Sequence, residues 1–118
     1  MRAILIDPFT RTITDVEYSG DYKDIYKLID CDTFTVATIN NRDDGIFVDD
    51  EGLFKPGQAF FWHDGYPQPL AGRGLVLGCN EEGESVEPSV SMADVVNHTR
   101  FMTIDEIMEE FAVGTQMV

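Results

Sequence analysis

One stretch constrains the fold more than any other: FFWHDGYPQPLAGRGLVLGC, residues 60–79. It holds the chain's one Trp, one of its two His, two Pro and four Gly. It ends in Gly74-Leu75-Val76-Leu77-Gly78, a compact apolar run with glycine at both ends, which reads as a strand. Tyr66-Pro67 and Gln68-Pro69 bias the chain ahead of it to extended backbone, because a residue before proline is pushed out of the helical region. A proline-stiffened loop therefore feeds a buried strand.

The flanking segments declare themselves by their periods. Ala3-Ile4-Leu5-Ile6 is a short apolar run stopped by Asp7-Pro8, and residues 10–18 are β-branched and partly alternating. Together they predict two hairpin-paired strands. From Tyr22 the period lengthens. Tyr22, Ile25, Tyr26 and Ile29 fall at i, i+3, i+4 and i+7, the spacing of one helix face, with Asp21 or Ser19 able to cap its start. Residues 33–39 alternate strictly, with Phe34, Val36 and Thr38 on one face and Thr35, Ala37 and Ile39 on the other. That predicts a strand. Residues 40–45 are turn-forming, and Ile46-Phe47-Val48 returns as a short strand.

Beyond the central stretch, Glu81-Glu82-Gly83-Glu84 is an acidic turn and residues 85–88 a hairpin return. Ser91 and Asp94 have capping-box spacing, and Thr103 with Glu106 form a capping box proper. Two short helices are expected there, the second carrying Ile104, Ile107, Met108 and Phe111 and stopping at Gly114. Arg100-Phe101-Met102 between them reads as a short extended link. The order predicts a single α+β domain, a mainly antiparallel sheet covered on one face by about three short helices.

Charge narrows the partners. The 118 residues carry 22 Asp and Glu against 8 Lys and Arg, a net charge of −14. A surface of that sign repels phosphate backbones, so direct nucleic-acid binding is not expected. It suits solubility or the docking of a basic partner. Divalent cations would need oxygen ligands that converge rather than merely abound. Two cysteines are too few for a disulfide framework, and no apolar run reaches the length of a membrane span. The opening apolar run is also too short for a secretory signal, so a reduced, intracellular setting is expected.

Each tempting motif has a plainer reading. Residues 40–51 can be laid on a calcium loop, but Asn40 stands at the first position and Arg42 at the third, where a guanidinium would repel the ion. A hairpin turn is expected instead. Gly72-x-Gly74-x-x-x-Gly78 has the wrong spacing for a nucleotide loop and enters a strand. His63 and Asp64 are neighbours in an extended segment, where successive side chains point to opposite faces and cannot readily bond each other. A zinc site from His63, His98, Cys31 and Cys79 would require convergence that no paired spacing announces. No nucleophile sits in a catalytic setting, so no enzyme, metal or cofactor is expected. Trp62, His63, Tyr66 and Arg73 remain as candidate binding residues, because exposed aromatics beside an arginine are enriched at interface hot spots. The alternative is a loop folded over the core, with Trp62 buried and Arg73 paired to an acid.

The TFTVA strand, the DDEG turn, GYPQPLAGRGLVLG with its NEEGE turn, and the closing MTIDEIMEEF helix stand in an order with a family likeness. The chain resembles the small acidic domains of a domain-of-unknown-function family found in bacteriophages and mobile elements. The resemblance implies an accessory protein of the bacterial cytoplasm and assigns no catalytic residue. It leads to a non-enzymatic module that engages a host or phage protein through its acidic surface. The rivals are a small-ligand binder with a pocket at the 60–79 loop and, behind it, a DNA-mimic inhibitor.

Overall fold

The apolar run at the end of the central stretch becomes β7 (Gly74–Cys79), the strand about which the larger sheet is built. The computed structural model describes residues 1–112. On one side β7 pairs with β1 (Arg2–Asp7), which forms the expected hairpin with β2 (Thr12–Glu17). On the other it pairs with β4 (Asp44–Asp49), itself paired with β3 (Phe34–Thr38). The order is β2-β1-β7-β4-β3, antiparallel throughout, with β8 (Ser85–Val86) folding back on the end of β7.

Strand β7 is apolar without alternation because both its faces are covered. Leu75 and Leu77 pack with Ala3 and with Ile25 and Ile29 around α1 (Lys23–Leu28). Val76 packs on the opposite side with Ile4, Ile6, Ile46 and Val48. The Asp21 carboxylate accepts the Lys23 N–H at 3.0 Å, but the N-cap of α1 is Tyr22, which makes no side-chain cap bond, and not the expected Asp21 or Ser19. Tyr26, Phe34 and Phe47 extend the α1-side core as a chain of rings 5.2 and 5.3 Å apart.

What covers the second face corrects the expectation of helices on one side only. There α2 (Met92–His98) lies beside a second sheet of order β6-β5-β9, built from β5 (Phe60–His63), β6 (Leu70–Ala71) and β9 (Thr99–Met102). Arg100-Phe101-Met102 is thus a strand and not a link: its partner is β5, distant in sequence. Phe61 and Leu70 of this sheet, with Val90 and Val95 around α2, share the core of Ile4, Ile46 and Val76. The layers touch because Gly74 has no side chain. A Cβ there would lie 2.7 Å from the Phe61 ring and 2.6 Å from Ile46.

The helix starts follow the capping signals. Ser91 Oγ accepts the Asp94 N–H at 3.1 Å, and Thr103 and Glu106 form a reciprocal box that opens α3 (Ile104–Ile107). The chain continues as a π-helical turn over Met108–Ala112, so the expected stop at Gly114 lies outside the described residues. Among the described residues no helix is long and apolar enough to cross a membrane.

Candidate functional site

Alternation along β5 decides which side chains meet the core. Phe61 points into the space between the sheets, while Phe60 and Trp62 pack on the far side with Met102 and Ile107. His63 follows Phe61 by two residues and so shares its face, where it is 7% exposed. The chain then turns tightly. Tyr66 N–H donates to His63 O at 3.0 Å, and Gly65 N–H donates to His63 Nδ1 at 2.9 Å. The same turn is tied to the end of α2, because Asp64 N–H donates to His98 O at 3.0 Å. The Asp64 carboxylate meets His98 Nδ1, also at 3.0 Å.

The two histidines, far apart in the sequence, therefore share one cleft, with ring centroids 6.1 Å apart. The cleft has a volume of about 400 Å³. Ile39 and Val90 give it apolar lining, and Arg42 and Asp94 of α2 add one charge of each sign. Burial holds the His63 imidazole below its usual pKa, nearby His98 adds to this, and Asp64 opposes it. His63 is accordingly a neutral ring at physiological pH.

The Arg42 side of the cleft is set by a polar turn. Asn40 Oδ1 accepts the N–H groups of Arg42, at 2.9 Å, and Asp44, at 3.2 Å. Asp44 is 1% exposed, and its carboxylate accepts from Asn40 Nδ2, the Ser89 N–H and the Ser89 hydroxyl. Burial alone would raise its pKa. The Ser89 and Asn40 hydrogen bonds outweigh burial and hold the carboxyl below the usual carboxylate range. These residues knit a hairpin turn to the segment before α2, which is the structure expected in place of a calcium loop. Arg42's guanidinium makes no ion pair or hydrogen bond among the described residues, and neither does the Asp94 carboxylate.

Of the four residues singled out from the sequence, only His63 lines this cleft. Trp62 lies on the outer face of the small sheet, its Nε1 donating to Tyr66 O at 2.8 Å and its ring beneath Arg100 at 5.1 Å. Tyr66 packs against the core between the layers. Arg73 belongs to a separate hollow of about 280 Å³, where it pairs with Asp7 at 3.2 Å and lies over Phe9. Cys31 is buried in the α1-side core and Cys79 is exposed, so the two cysteines do not join the histidines. Among the described residues no group of three His, Cys, Asp or Glu side chains is placed to hold a metal ion. Sequence reasoning missed His98, Asp64, Asp94 and Arg42 as a set. The pairing of β5 with β9 unites the first two, and nothing local in the sequence records that pairing.

An α+β domain of two antiparallel sheets, with a polar cleft beside their contact, is the class that fold and site define. The chain belongs to the family described as "Domain of unknown function (DUF3846)", whose model matches residues 1–100 and so takes in the whole cleft. It is similar to "Uncharacterized protein y4iR" of Sinorhizobium fredii, with 29% identity over 98 residues. That alignment covers 81% of this chain and 60% of the relative's length. No solved structure matches it significantly.

Proposed function

We propose that this domain is a non-enzymatic binding module that takes up a small polar ligand in the His63–His98 cleft. One observation carries the reading. Two histidines line about 400 Å³ of space together with a guanidinium and a carboxylate that make no ion pair or hydrogen bond among the described residues, beside the apolar Ile39 and Val90. Small-molecule sites have this composition, an apolar lining with a few convergent polar groups. Among the described residues no Ser, Thr, Cys or Lys side chain lines it, which favours binding over covalent catalysis. With the likeness to phage and mobile-element domains, the setting we propose is an accessory protein of such an element, for which genomic neighbourhood is the direct check.

The experiment is a fragment screen by NMR on the whole chain, repeated on Asp94→Trp. Asp94 is exposed, and its backbone rather than its side chain serves the helix cap, so the variant keeps the fold and fills the mouth of the cleft. Fragments should shift the His63, Gly65 and His98 resonances and lose binding in the variant. Fragments that bind both proteins equally, or none that reach these residues, overturn the reading.

A second reading, engagement of a basic protein, is favoured by a separate feature. Leu53 and Phe54, on the 3-10 turn Gly52–Phe54, are 71% and 86% exposed directly after the exposed acids Asp50 and Glu51. An apolar knob on a chain of net charge −14 fits an apolar socket ringed by Lys and Arg. A partner lost on Phe54→Asp and weakened by salt supports it; binding indifferent to both removes it.

A further inference from the structure

The ligand-binding reading leaves the ligand's chemistry open, and the hydrogen bonds of the two histidines narrow it. His63 Nδ1 accepts the Gly65 N–H, so this nitrogen is bare and the proton of the neutral ring sits on Nε2. His98 stands the other way round. Its Nδ1 faces the Asp64 carboxylate, which can only accept, so Nδ1 carries the proton and Nε2 of the neutral ring is bare. Neither Nε2 has a partner among the described residues, and no hydrogen bond joins the rings. Both rings line the same cleft.

Resting on that reading, we infer that His63 and His98 are fixed in opposite tautomers and together recognise a carboxamide edge, a C=O beside an N–H, on a small zwitterionic ligand. The carbonyl accepts from His63 Nε2–H, and the amide N–H donates to His98 Nε2. A carboxylate in the same place satisfies His63 but sets its lone pairs against those of His98. An ammonium has the opposite fault. The ligand's own charges are answered by the two charged side chains of the lining, a carboxylate by Arg42 and an ammonium by Asp94. Setting lone pair against lone pair, or N–H against N–H, is what makes a hydrogen-bonding site reject a near-isostere.

The test uses the full chain with 15N-labelled histidine at pH 8, with L-glutamine and L-asparagine as probes and L-glutamate and L-aspartate as near-isosteric controls. Long-range 1H–15N spectra should place the His63 proton on Nε2 and the His98 proton on Nδ1. Either carboxamide should shift both Nε2 signals, and its acid should bind at least about tenfold more weakly, the loss of roughly one hydrogen bond. Asp64→Ala, at an exposed position, should return His98 to the Nε2–H form that free imidazole prefers and abolish the preference for amide over acid. Identical tautomers in the two wild-type rings, acids binding as well as amides, or no response to either amide would each overturn the inference. Fragments of other chemistry, blocked by Asp94→Trp but indifferent to the tautomers, would sink this inference and leave the cleft's binding role standing.

Discussion

Ser89 donates both its backbone N–H and its hydroxyl to the carboxylate of Asp44, joining the start of β4 to the segment that leads into α2. With Asn40 Nδ2 as a third donor at 2.9 Å, the buried carboxylate is the point at which both walls of the cleft are held. In Asp44→Asn an amide N–H must face one of these donors. We expect a loss of about 2–4 kcal/mol in urea unfolding, the scale for charge-assisted hydrogen bonds left unmade in a buried site.

The same carboxylate sets a pH dependence. Its folded pKa lies below the ordinary value, so the stability it contributes is fully present above about pH 4 and is lost as pH falls through the folded pKa. The stability gap between wild type and Asp44→Asn should therefore be constant from neutral pH to about pH 4 and narrow below it. Urea midpoints collected across pH 3–7 measure that gap. A gap that widens in acid would show that Asp44 is not held as a carboxylate.

Thr99 lies directly across the β5–β9 ladder from His63, and its Oγ1 is the one buried side-chain polar atom without a hydrogen bond among the described residues. A buried hydroxyl with no partner is a standing cost, and valine has nearly its shape without it. Thr99→Val should raise stability by about 1 kcal/mol, read from thermal or urea unfolding. A fall of similar size would mean that the hydroxyl is bonded in solution.

The sequence disclosed what is local. Strict alternation in residues 33–39 announced β3 and set Ala37 and Ile39 on one face, the Thr103–Glu106 box marked the start of α3, and the glycine-bracketed run of residues 74–78 became the central strand. Each of these patterns is written within a few residues. Phe101 and Met102 were opaque because a short strand is recognised by its partner, here Phe60 and Phe61, and not by its own three or four residues. The site was opaque for the same reason. His98 is brought to Asp64 by a backbone bond between β5's turn and the end of α2, and Asp44 hid within a segment that reads as an ordinary Asn-Asp-Gly turn. Trp62 and Arg73 drew attention by rarity. The structure satisfies them separately, under Arg100 and beside Asp7.

His63 gives a dependence of the opposite chemical kind with the same sign. Burial, reinforced by His98, holds its folded pKa below the usual histidine value, so between the two values only the unfolded chain takes up the proton. Its contribution is present above about pH 6.5 and lost as pH falls towards the folded pKa. His63→Asn keeps an acceptor for the Gly65 N–H but cannot titrate. The variant's stability should fall less than wild type's between pH 7 and 5, in paired thermal scans. Equal slopes would mean that His63 takes up its proton alike in the folded and unfolded chain.

Gly65 makes the tightest approach in the cleft wall. A Cβ on it would lie 2.1 Å from Ile39 O and 2.9 Å from Ile39 C, both backbone atoms that cannot swing aside. Residue 65 must therefore be glycine for the β5 turn to sit against the end of β3. Gly65→Ala should push the turn outward, cost about 1–3 kcal/mol as an overpacked contact does, and loosen the bond from residue 65 N–H to His63 Nδ1. Unfolding in urea measures the first effect. Histidine 15N shifts measure the second, with His63 losing its fixed tautomer while His98, held by Asp64, keeps its own. If both rings changed together, the turn and the helix end would be one mechanical unit. If neither changed, the Ile39 contact would not be what positions His63.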